Sequence, residues 1–141
     1  MKVSIIYWSG TGNTEVMAKA IKTGAEAANA EVTLLSVDKA GESDVLNADV
    51  ILFGCPSMGD ETLEETEFEP FIDNIEKKIT GKKLGLFGSY GWGDGQWMRD
   101  WTQRMTNAGV SLVVESLIVN ETPSEKDLEQ CREFAKNAVN A

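Results

Sequence analysis

The sequence contains no histidine. That absence excludes hydrolysis by a Ser-His-Asp or Cys-His arrangement, His-ligated haem and most zinc sites, because each needs an imidazole to move a proton or bind a metal. Cysteine is scarce: Cys55 and Cys131 stand far apart without CxxC spacing, so no iron-sulfur or thioredoxin motif is available. The pair is compatible with free thiols in a reducing compartment or with one disulfide. Basic residues are outnumbered, 13 Lys and Arg against 23 Asp and Glu, for a net charge of -10. Most of such a surface repels a nucleic-acid backbone or an anionic membrane and favours a basic protein partner. Long apolar runs are also lacking; the opening MKVSIIYWSG is too short, and too soon broken by Ser and Gly, for a signal or a membrane span. A soluble, cytoplasmic protein is expected. What remains is ordinary: 141 residues, 42% hydrophobic and 26% charged, suit a single domain over 1–141 without repeats or linkers.

Along the chain, apolar runs of strand length alternate with helical periodicity. Val3 to Trp8 reads as a strand, and a helix follows with Met17, Ala20 or Ile21, Gly24 and Ala28 on its apolar face, stopping near Asn29. Val32 to Val37 is a second strand, a short helix surrounds Val45 and Leu46, and Val50 to Gly54 reads as a strand buried on both faces. Phe68, Phe71, Ile72, Ile75 and Ile79 recur at helical spacing, with Pro70 acceptable in a first turn. Then come a strand at Leu84 to Gly88, a helix at Gln96 to Asn107 with Trp97, Trp101 and Met105 on one face, and a fifth strand from Val110 to Val119. The last helix begins in a capped start at Ser124 and buries Leu128, Cys131, Ala135 and Val139. Such alternation predicts an α/β fold, a five-stranded parallel sheet with helices on both faces, whose ligand site lies beyond the carboxyl ends of the strands.

Three loops then carry the chemistry. Ser9, Gly10, Thr11, Gly12, Asn13 and Thr14 offer freed backbone amides, hydroxyls and a helix N-terminus, all suited to a phosphate held by neutral dipoles. The loop has no lysine for a P-loop, and Glu15 stands where a dinucleotide fingerprint needs its third glycine. The alternative for this stretch is a plain tight turn capped by Asn13 or Thr14. In the second loop, Pro56-Ser57-Met58-Gly59-Asp60-Glu61, Gly59 can turn its carbonyl toward a newly protonated ring nitrogen, Met58 offers a soft contact to a planar ring, and Glu61 can accept an N–H from a ring edge. The alternative is an ordinary acidic loop. The third, Ser89-Tyr90-Gly91-Trp92-Gly93-Asp94, places aromatics among glycines, which suits a flat ligand, or else an aromatic plug at the end of the core. Tyr7 and Trp8, at the end of the first strand, are expected to be structural or to stand just behind the site. The three loops together describe a site for a monophosphate that carries a planar ring, which FMN fits.

YWSGTGNTE at Tyr7 to Glu15, GCPSMGDE at Gly54 to Glu61, EFEPF at Glu67 to Phe71 and LFGSYGWGDG at Leu86 to Gly95 resemble the flavodoxins, especially the short-chain type of anaerobic bacteria. The similarity runs from Lys2 almost to the C-terminus. It implies strand order 2-1-3-4-5 and noncovalent FMN, with Ser9 to Thr14 on the phosphate, Met58 and Trp92 flanking the isoalloxazine, Gly59 as the switching peptide and Glu61 on the pyrimidine edge. Ser89, Tyr90, Gly91, Gly93 and Asp94 complete the third wall, and Asn120 reaches toward the ribityl chain. Pro56 is a departure, standing where some members carry a hydroxyl near the phosphate, and Ser57 is one position on.

The function implied is a low-potential one-electron carrier, a monomer that meets redox partner proteins through basic docking surfaces of theirs, guided by the acidic run Asp60, Glu61, Glu64, Glu65, Glu67 and Glu69. The alternative is a small FMN-dependent quinone or nitroreductase. A phosphorylated receiver module is disfavoured because Gly54 and Cys55 occupy the place of its acceptor aspartate, and a Cys-x5-Arg phosphatase because Glu61 stands at the arginine position.

Overall fold

The computed structural model describes residues 1–141. Strands β1 (Lys2–Tyr7), β2 (Glu31–Ser36), β3 (Val50–Gly54), β4 (Lys83–Tyr90), β5 (Ser111–Leu112) and β6 (Leu117–Asn120) alternate with helices α1 (Asn13–Ala27), α2 (Glu42–Leu46), α3 (Phe68–Ile75), α4 (Gln96–Asn107) and α5 (Glu125–Asn140). All strand pairs are parallel, in the order β2-β1-β3-β4-β5, with β6 also on β4. Chain order reverses between β1 and β3, so the crevice above their carboxyl ends is the topological switch point.

The near-continuous apolar runs arise because both faces of the sheet are covered. Val3, Ile5, Val50, Leu52 and Phe87 pack against α1 and α5, whereas Ile6, Ile51, Phe53, Leu84 and Leu86 pack against α3 and α4. Successive residues point to opposite faces of a strand, so a strand buried on both must be apolar at every position. On one side α1 approaches α5 so closely that a methyl group on Gly24 would lie 2.3 Å from the Arg132 carbonyl oxygen. Trp97, Trp101 and Met105 are buried as their helical spacing predicts. The last helix has its capping box: the Ser124 hydroxyl accepts the Asp127 N–H, and the Asp127 carboxylate accepts the Ser124 N–H.

Two elements differ from expectation. The fifth strand is two segments. Leu84 faces Leu112 and Phe87 faces Leu117, so three steps along β4 are matched by five along the edge. The two extra residues form a bulge, in which Val114 leans over Gly85, beside Leu52 and Phe134. The third helix is α-helical only to Ile75 and tightens into a 3-10 turn at Glu76–Lys78, although Ile79 stays buried. The cysteines lie in separate cores, Cys55 under α3 and α4 and Cys131 under α1, and both are free. Burial pushes each thiol up to about 12, so both remain protonated. No helix is long and apolar enough to cross a membrane.

Candidate functional site

The loops following β1, β3 and β4 meet at the carboxyl end of the sheet around a cavity of about 290 Å³. Gly10, Thr11 and Asn13 line it from the first loop, Pro56, Ser57 and Met58 from the second, and Ser89, Tyr90 and Gly91 from the third. Trp8 and Glu121 line it as well. Trp8 is therefore a wall of the site rather than a purely structural residue, and Glu121 had no signal beyond standing just past the end of a strand.

The first loop enters α1 through Gly12, whose φ is 103°. The Gly12 and Glu15 N–H groups both donate to Ser9 Oγ at 3.2 Å, so two amides already converge on one oxygen. Thr14 does not line the cavity; its buried hydroxyl pairs with that of Ser89 at 2.8 Å and ties the first loop to the third. The second loop is also tied to the third, since Ser57 N–H donates to the Ser89 carbonyl at 3.0 Å. Met58 and Thr62 exchange backbone hydrogen bonds of 2.9 and 2.8 Å, folding Gly59, Asp60 and Glu61 into a tight turn. Gly59 takes φ 50°, a left-handed conformation natural to glycine, and a side chain there would meet only open space near Thr62. Gly59 is exposed at the tip of this turn.

Glu61 takes φ 57° without being glycine. Its carboxylate lies over the third loop and accepts the Trp97 N–H in the first turn of α4 at 3.3 Å. A methyl group on Gly93 would press on the same carboxylate, which sits at the end of a flexible side chain and can move aside, so it is the φ of 83° that favours glycine here. Asp94 turns outward to Arg99 at 2.8 Å, and the Asn120 amide donates to the Tyr90 carbonyl at 3.3 Å rather than lining the cavity. Trp92 is 64% exposed, on a glycine-flanked loop that gives its indole little to pack on.

The acidic run does not act as one surface. Glu64 is only 6% exposed. Burial raises the pKa of its carboxyl, but hydrogen bonds from the Thr66 hydroxyl and from the amides of Phe68, Glu67 and Thr66 outweigh this and hold it below the usual carboxylate range. Glu69 forms a two-pronged pair with Arg104 at 2.7 and 2.8 Å. Asp60 and Glu65 remain exposed and without a hydrogen-bonding partner.

A larger open groove of about 720 Å³ lies on the flank between the turn after α3 and α4. Arg104 there is already satisfied by Glu69 and Glu76, and the groove lies away from the strand ends where parallel sheets bind ligands. No group of His, Cys, Asp and Glu could hold a metal ion.

A family model described as flavodoxin matches residues 5–134. The chain is 49% identical over 138 residues to the flavodoxin of Clostridium beijerinckii, covering 98% of this chain and 99% of that one. To the flavodoxin of Megasphaera elsdenii it is 47% identical over 139 residues, covering 99% of each. The solution structure of two-electron reduced Megasphaera elsdenii flavodoxin superposes with a TM-score of 0.89 at 45% identity, over 99% of each chain. These relatives do not favour the reductase alternative. The chain belongs to the flavodoxin family, and is a small electron carrier that uses FMN and exchanges electrons with redox partner proteins rather than an enzyme.

Proposed function

We propose that FMN is held in the cavity between the three loops, with Ser9 to Thr14 around its phosphate and Met58 and Trp92 flanking its ring. The observation that carries this is the cavity that all three loops line, with Gly10, Thr11 and Asn13 at the start of α1 on one side of it and no lysine or arginine in its walls; the Gly12 and Glu15 amides gather on Ser9 Oγ beside it. Such a cradle suits one terminal phosphate held by neutral donors. Pro56, Ser57, Ser89, Tyr90 and Gly91 form the walls, Gly93 and Asp94 continue the third loop beyond them, Asn120 holds the Tyr90 carbonyl, and Asp60 lies exposed at the tip of the second loop. Glu61 keeps acceptor capacity for a ring N–H beyond its bond to Trp97. Bound FMN supplies reversible uptake of single electrons. The chain's part is to shield the ring and to offer the Gly59 carbonyl as acceptor for a ring N–H when one forms. FMN fluorescence is quenched at one equivalent of chain and FAD fluorescence is not; an absence of quenching by FMN would remove the assignment.

Residues 1–141 act as one monomeric domain in the cytoplasm, and basic surfaces of partner proteins dock on the exposed carboxylates around the site. With Glu64 buried and Glu69 paired, Asp60 and Glu65 carry the steering. Long-range attraction raises the on-rate of a weak encounter, and the Debye length of about 8 Å at roughly 0.15 M salt limits its reach. The second-order rate of electron transfer to a basic acceptor such as cytochrome c therefore falls as salt rises. An Asp60→Asn, Glu65→Gln double variant is slower at low salt with a shallower dependence, and an unchanged profile would make these two carboxylates bystanders.

A further inference from the structure

Trp8 connects three parts of the site. Its N–H donates to the Gly54 carbonyl at 3.0 Å, prolonging the β1–β3 ladder by one step. Its six-membered ring lies across Gly10, so close that a methyl group there would stand 3.0 Å from the ring edge. Its indole N–H donates to Glu67 Oε1 at 3.2 Å, and Glu67 is the residue that opens α3. The indole thus spans from the phosphate-loop glycine to the start of a helix on the other side of the second loop, while also lining the cavity.

We infer that Trp8 is a positioning residue for the phosphate-binding loop, with Glu67 as its latch. Apart from the Thr14–Ser89 hydroxyl pair at its far end, the loop has few anchors of its own. Gly10 and Thr11 are exposed, and Ser9 bonds only within the loop, to Gly12 and Glu15. A flat, half-buried ring held at both ends restricts where Gly10 can lie. The amides that follow are then already placed when a phosphate arrives, so less ordering remains to be done on binding. This placement concerns the phosphate end alone, and it explains why a carboxylate is kept near an anionic ligand: its role is as acceptor for the indole, despite its charge.

This inference rests on the FMN site proposed above, and the experiment separates the two. The full chain, stripped of flavin, is titrated with FMN and with riboflavin, which has the ring but no phosphate. Failure of the wild type to bind FMN defeats the site assignment itself. If the wild type binds, Trp8→Phe, which loses the latch and part of the ring contact, weakens FMN binding roughly tenfold, the scale of one hydrogen bond to a charged group, and leaves riboflavin within about twofold. Glu67→Ala keeps the tryptophan and weakens FMN selectively by roughly fivefold, whereas Glu67→Gln, which loses the same charge but still offers an oxygen to the indole, binds FMN at least as tightly as wild type. Removing a negative charge near a phosphate should by itself tighten binding, so a gain in FMN affinity for Glu67→Ala overturns the latch. An equal loss of FMN and riboflavin in Trp8→Phe also overturns the inference, because it assigns Trp8 to the ring or to general packing, as does no loss at all.

Discussion

Trp92→Ala lowers FMN affinity by roughly tenfold to a hundredfold, the scale of one lost aromatic stack of about 1–3 kcal/mol. The same change leaves the melting temperature of the flavin-free chain nearly unaltered. Both expectations come from the exposure of the indole: at 64% exposed it makes little of the core, and surface substitutions of that kind stay within about 0.5 kcal/mol. An aromatic left in water on a glycine-flanked loop has its apolar area still to bury, and a flat ligand held between it and Met58, as proposed, would bury it. Fluorescence titration gives the affinity and calorimetry the stability. Loss of stability with unchanged affinity would assign Trp92 to packing.

Glu64→Ala acts in the opposite sense, on the fold rather than on the ligand contacts. The carboxylate is 6% exposed and accepts hydrogen bonds from Thr66, Glu67 and Phe68 amides and the Thr66 hydroxyl, so it occupies the donors that open α3. Replacing it with a methyl group leaves those donors without their partner, at a cost of about 3 kcal/mol, or roughly 10 °C in melting temperature for a chain of this size. The effect has a pH signature. A carboxyl held below its unfolded value contributes stability that is fully present above that value, near 4.5, and is lost as pH falls through the lower folded value. The gap in stability between wild type and Glu64→Ala is therefore wide at neutral pH and narrows in acid. A gap that stays constant down to pH 3 would show that the ionised carboxylate is not what holds the helix start.

The acidic run shows where reading the chain stops. Asp60, Glu61, Glu64, Glu65, Glu67 and Glu69 are alike in sequence, and their closeness to the second loop suggests one docking surface. Folding gives them separate tasks: Glu64 caps α3, Glu69 binds Arg104, Glu67 holds the Trp8 indole, and Glu61 receives the Trp97 amide. The partners of the last three lie 35, 59 and 36 positions away in the chain. No local pattern carries such pairings, because they depend on which loops the sheet brings side by side.

Trp8 is a similar case. As the last residue of an apolar run it looks like part of a strand, yet its ring lines the cavity. The edge strand was legible as an apolar stretch, but not its bulge, since the two extra residues follow from the way Val114 packs over Gly85. By contrast, the identity and order of the helices and strands, the two-faced burial of β3 and the three glycine-bearing loops were all present in periodicity and composition. Those features depend on the spacing of neighbouring residues, which the chain states directly. Which acid is free, which tryptophan touches the cavity and which amides converge depend on distances between residues far apart in sequence, and only the packed sheet decides them.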